Sequence, residues 1–157
     1  LTDIAADVIA DMEDEYYIMG SGSTVAFTMA EMGLENTLLG VDVVHQQQVI
    51  AQDQTAGQLL ELLEGKDCKL VITLIGGQGH VFGRGNQQLS PQLIKQVGKE
   101  NIIVLATKTK LSALQGRPLI ADTGDVELDQ MLSGFIRVTT GYRDYIMYRI
   151  ANPEYED

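Results

Sequence analysis

The chain of 157 residues has no tryptophan, one cysteine, three prolines and, before Lys66, no lysine or arginine. Each shortage excludes something. With Cys68 alone no internal disulfide can form, so a reducing compartment, the cytoplasm, is the expected setting. His45 and His80 stand far apart without a Cys or His cluster around them, so zinc-type ligand spacing is missing. No apolar run approaches the roughly 20 residues of a membrane span, and no signal-peptide pattern opens the chain. A formal net charge of −11 suits neither nucleic acid nor an anionic membrane, both of which are bound through basic surface. The acidity is uneven. Residues 1–65 carry 12 Asp or Glu and no base, whereas residues 66–157 carry 10 acids and 11 bases. An anionic ligand must therefore find its cations late in the chain.

Length and an apolar content of 45% fit a single soluble domain with a sizeable core. Ile4, Val8, Ile9 and Met12 mark one face of an opening helix over 2–15, with Asp3, Asp7, Asp11 and Asp14 largely opposite. Strand-like and helix-like stretches then alternate: "YYIM", "STVAFTMAEMG", "NTLLGVDVV", "TAGQLLELLEG", "CKLVITLIG", "SPQLIKQVG", "NIIVLAT", "KTKLSALQG", "RPLIADTGD", "VELDQMLSG". "QQQVIAQ" reads as a short hairpin partner of the second strand. "FIRVTTG" and "YRDYIMYRI" close the chain as an antiparallel pair. This alternation predicts an α/β fold: a mostly parallel, Rossmann-like sheet with helices on both faces and an antiparallel C-terminal strand pair. Ser90 and Pro91 are placed to start one of the helices.

In such a sheet, ligands collect where strands end at their carboxyl termini, and four unusual loops are expected there. The first is Gly20-Ser21-Gly22-Ser23-Thr24. Its glycines free successive N–H groups to cradle an anion, the following helix adds its N-terminal amides, and the hydroxyls add donors. A plain tight strand-to-helix turn is the alternative. Asp42 follows Gly22 by twenty residues, the offset at which a Rossmann acid meets a ribose hydroxyl, although Val25 stands where a third small residue belongs. The second loop holds Gly76, Gly77, Gln78, Gly79 and His80, then Gly83, Arg84, Gly85, Asn86 and Gln87. Its glycines suit backbone pressed against a ligand, and Arg84 suits a phosphate or carboxylate. The third, Thr107-Lys108-Thr109-Lys110, supplies two cations. The fourth, Asp122-Thr123-Gly124-Asp125, offers two carboxylates for Mg²⁺ or a cap for the next helix.

Four runs, "IGGQGHVFGRGNQQLSP", "VGKENIIVLATKTKL", "DTGDVELDQMLSG" and "VTTGYRD", resemble in this order the AcoX-type predicted ATP-NAD kinases, the ATP- or polyphosphate-dependent NAD kinase family associated with acetoin catabolism. The resemblance runs from about Tyr16 to Ile150. It implies a nucleotide- and phosphate-binding portion of a phosphotransferase that makes NADP from NAD, with ATP or polyphosphate and Mg²⁺ as cofactors. Family members carry a longer N-terminal half with a Gly-Gly-Asp-Gly signature, which Gly76-Gly77-Gln78-Gly79 echoes without the acid. The chain, opening on Leu1, is therefore expected to be a C-terminal portion, with that N-terminal half as partner and no kinase activity alone. The glycine-serine stretch also resembles the phosphosugar isomerase and CoA-transferase superfamily, which makes a phosphosugar-binding domain with Asp122, Asp125 or His80 as base the rival. A non-catalytic regulatory or oligomerisation module, self-associating as a homo-oligomer, is the third reading.

Overall fold

The computed structural model describes residues 1–37, 40–83, 88–152 and 154. Nine strands form one sheet in the order β3-β2-β1-β4-β6-β8-β9-β7-β5. They are β1 (Tyr16–Met19), β2 (Asp42–His45), β3 (Gln48–Ala51), β4 (Cys68–Thr73), β5 (His80–Phe82), β6 (Ile102–Leu105), β7 (Leu119–Ala121), β8 (Gly134–Gly141) and β9 (Asp144–Ala151). Five of the eight neighbouring pairs are parallel, and β1–β2, β2–β3 and β8–β9 are antiparallel. The expected α/β sheet is present, as are the QVIA hairpin strand and the C-terminal antiparallel pair.

Alternation along the central strands assigns each side chain to a layer. Tyr17, Met19, Val71 and Leu105 face α1 (Thr2–Asp11) and α2 (Ser23–Glu31), packing on Ile4, Val8, Val25 and Met29. Ile18, Leu70, Ile72 and Val104 face the other way into the larger core. That core is built with α3 (Ala56–Leu62), α4 (Pro91–Val97), α5 (Lys108–Ser112) and α6 (Val126–Leu132). Both faces are thus covered over β1, β4 and part of β6, as a parallel ladder requires.

Four helices begin on a side-chain cap. Thr55 and Gln58 make a capping box for α3, Ser90 accepts from Leu93 N–H with Pro91 in the first turn, Thr107 accepts from Lys110 N–H, and Asp125 from Leu128 N–H. The opening helix departs from expectation: it stops at Asp11, and it begins without a side-chain cap. Helix α2 likewise has no side-chain cap, because Gly22 precedes it.

One expectation needs correcting. Strands β1, β4, β6 and β8 run one way, but β9 is antiparallel to β8, and β7 and β5 run with β9. The four loops therefore do not leave a common edge. The turns after β1, β4 and β6 leave the first edge; the chain leaving β5 and β7 emerges at the opposite one. The reason is two short connections, residues 142–143 between β8 and β9 and residues 74–79 between β4 and β5, each of which reverses the chain. A parallel return needs a crossover of a dozen or more residues that spans the sheet.

Candidate functional site

The first edge is built by β1, β4 and β6. Gly20 N–H donates to the Val71 carbonyl, holding the glycine turn against β4. Gly22 then takes φ 114° and ψ 158°, and a Cβ there would lie 2.6 Å from Thr73 Cγ2. Only glycine fits both the angle and the space. Thr73 is held in turn by donating its hydroxyl to the Leu105 carbonyl at 2.8 Å, which ties β4 to β6. Beyond Gly22 the opening N–H groups of α2, at Ser23, Thr24 and Val25, have no acceptor among the described residues. They point from the positive end of the helix dipole. Ser21 is half-buried and Ser23 exposed, so hydroxyl donors stand beside them.

Two strand spacings away, roughly 10 Å, β6 ends at Thr107, Lys108 and Lys110. Lys108 Nζ lies 2.7 Å from Asp144 Oδ2 at the β8–β9 tip, and Lys110 is exposed. Asp144 also fixes this corner by accepting, through its carbonyl, the Thr140 hydroxyl. Amides, hydroxyls and ammonium groups along one edge can hold an anion. The carboxylate at this corner, Asp144, is engaged by Lys108.

The other candidates are dispersed. Gly76, Gly77 and Gln78 form an exposed turn closed by Ile75 N–H donating to the His80 carbonyl, and the buried Gly79 packs on Leu114 and the Pro118 carbonyl, toward β7. Asp42 is fully buried on β2, and its two oxygens accept from Thr37 N–H at 2.7 Å and Asp53 N–H at 2.9 Å. It clasps two loops rather than reaching out for a ribose. Gly83 leaves β5 beside Asp122, whose N–H donates to the Phe82 carbonyl at the opposite edge. Arg84, Gly85, Asn86 and Gln87 lie outside the described residues.

Asp122 accepts from Asn152, and Asp125 divides its oxygens between the α6 cap and Lys95 at 2.9 Å. The Leu128 N–H first, then Lys95, holds the Asp125 carboxyl below its ordinary value. These carboxylates are engaged as structure. Among the described residues no group of three or more His, Cys, Asp or Glu is gathered to hold a metal ion, so the Mg²⁺ expectation finds no fitting donor set here.

Sequence reading missed Thr73, Asp144, Asp129 and Asn152. Asp129 is fully buried and accepts from Thr123 N–H, the Thr123 hydroxyl and Asn152 Nδ2. An acid at a helical position facing the core is the signal that was available. For Asp42, substitution separates clasp from ligand contact. Asp42→Ala is expected to lose about 2–4 kcal/mol of stability, through two unsatisfied buried N–H groups and a lost charge-assisted pair. Its affinity for phosphate compounds should stay within about twofold, measured by calorimetry on the folded fraction.

A model of one protein family, described as the ATP-NAD kinase C-terminal domain, matches residues 12–150. No curated protein and no solved structure matches the chain. No helix among the described residues is long and apolar enough to cross a membrane.

Proposed function

Because the chain belongs to the ATP-NAD kinase C-terminal domain family, we propose that its first edge holds phosphate groups for an NAD kinase-like phosphoryl transfer that yields NADP. Phosphoryl transfer asks a protein mainly for positioning and charge neutralisation. The single observation that carries this reading is the start of α2. A nine-residue helix begins without a side-chain cap, on a glycine forced by Thr73, with its amides open toward the edge that also bears Lys108 and Lys110. Ser21 and Ser23 would orient phosphate oxygens, and the two lysines would offset their charge. ATP or polyphosphate as donor, and the AcoX-type subgroup, are the finer assignments we favour. Mg²⁺ would arrive with the nucleotide or from a preceding domain. The acid that drives the transfer would come from that domain, since the turn Gly76–Gly79 carries glutamine where the kinase signature carries aspartate. Alone, residues 1–157 should form no NADP.

The test is thermal shift with ATP, NAD, tripolyphosphate and, as the rival class, pentose and hexose phosphates. A ligand bound only by the folded state at 100-fold above its Kd adds about 2.7 kcal/mol, a rise of about 5–10 °C at this chain length. ATP, NAD or tripolyphosphate should give that rise, and Lys108→Ala with Lys110→Ala should remove most of it. A rise confined to sugar phosphates, or none at all, defeats the proposal.

A further inference from the structure

Lys108, placed above to offset phosphate charge, is already held by a carboxylate. Its Nζ lies 2.7 Å from Asp144 Oδ2, and the direction of that pair matters. In the run β1-β4-β6-β8-β9, the end of β6 stands midway between the two groups that compete for its lysine. The α2 amides, beyond β1, lie two strand spacings to one side; Asp144, opening β9, lies two spacings to the other, roughly 10 Å each way. Bound to Asp144, the ammonium leans away from the Gly22 turn. Of the two partners, the carboxylate is the fixed one. The β8–β9 turn is pinned to α1, since Arg143 N–H donates to the buried Asp7 at 2.9 Å and the Arg143 guanidinium to Asp11 at 2.6 Å. The Tyr145 hydroxyl donates to the same Asp7 oxygen at 2.7 Å, and the Thr140 hydroxyl to the Asp144 carbonyl at 3.0 Å. Lys108 instead opens α5, whose backbone is set by the Thr107 cap, and its side chain is 63% exposed. A flexible four-carbon stem lets the ammonium swing while the helix stays in place.

We propose that Asp144 is a latch on Lys108: it holds the ammonium toward β9 until a phosphate chain seated at the α2 amides draws it back across the end of β6. This inference rests on the phosphate reading of the first edge and adds the regulation of that site. Asp144 is then a positioning residue, which sets affinity through the lysine without touching the ligand. The exchange is close to balanced. An exposed ion pair shifts an equilibrium by no more than about fivefold, so a polyanion carrying several charges can open this one. For the same reason, removing the carboxylate tightens binding by a few-fold and no further.

Calorimetric titration of residues 1–157 with tripolyphosphate, at physiological ionic strength, tests this on wild type, Asp144→Asn, Lys108→Ala and the double variant. Asp144→Asn keeps the carbonyl that holds Thr140 and should melt within about 2 °C of wild type. It should bind about three- to fivefold more tightly. Lys108→Ala should bind more weakly than wild type. Adding Asp144→Asn to it should change Kd by less than about 1.5-fold, because no ammonium is left to release. An equal gain with and without Lys108 overturns the latch, since the carboxylate would then act only as a nearby negative charge. If wild type binds and Asp144→Asn binds no more tightly, the latch alone fails. If no variant binds tripolyphosphate, the phosphate reading fails and the latch with it.

Discussion

Gly22→Ala should lower stability by roughly 2–6 kcal/mol and remove phosphate binding at the first edge. Two penalties add. An alanine at φ 114° sits in a region that costs about 1–3 kcal/mol for residues with a Cβ. The new methyl also meets Thr73 Cγ2 at 2.6 Å, and overpacking of this kind costs about 1–3 kcal/mol. Relief of either strain would tilt the start of α2, which is where the open amides lie. For this chain length the fall in Tm should be on the order of 10 °C. Gly76→Ala is the control: its φ of 70° is also unfavourable, but nothing lies within 4 Å of the added carbon, so only about 1 kcal/mol should be lost. Adding Thr73→Ser to Gly22→Ala removes the colliding carbon and keeps the hydroxyl that bonds Leu105. The double variant should recover the packing part and not the backbone part. Melting curves read all four proteins, and a Gly22→Ala chain within 1 °C of wild type would show the turn to be built otherwise.

The second large effect is expected at Asp129. Its carboxylate is fully buried and serves three donors at 2.7–3.0 Å: Thr123 N–H, the Thr123 hydroxyl and Asn152 Nδ2. Asp129→Ala leaves the Thr123 N–H without its acceptor and reduces the Thr123 hydroxyl and Asn152 Nδ2 to their longer contacts with the Asp125 carbonyl and Asp122. Breaking a buried charged network from one side costs about 3–5 kcal/mol, enough to unfold a chain of ordinary stability. Asp129→Asn keeps the shape but opposes an amide NH₂ to one of the donors, and should cost about 1–3 kcal/mol. Because Asn152 also holds Asp122, hydrogen exchange should rise first across the β7–α6 turn and the end of β9. Wild-type protection there in Asp129→Ala would mean that another group carries the network.

Local signals predicted local structure well. Ser90 with Pro91, and Asp125 before "VELDQML", announced helix starts because a cap is decided within four residues. The apolar runs "LVIT" and "IIVL" announced central strands because such strands are buried on both faces. The glycine turn was also legible: two glycines before hydroxyls at a strand end fit few other uses. Asp42 was misread because an offset of twenty residues says nothing about which direction a carboxylate faces. Its β2 turned out antiparallel to β1, which brought the Thr37 and Asp53 amides to the carboxylate.

By itself, then, the sequence determined most of the elements, the caps at Ser90 and Asp125 and the α/β class, since these follow from periodicity and backbone sterics over a few residues; β5, inside the second loop, it did not show. The tertiary structure alone decided strand direction, and with it that the Gly22 turn and the lysines share an edge while Asp122 and Asp125 stand at the other. Strand direction is set by long-range pairing and by whether a connection can span the sheet, and a pattern of neighbouring residues does not carry that information.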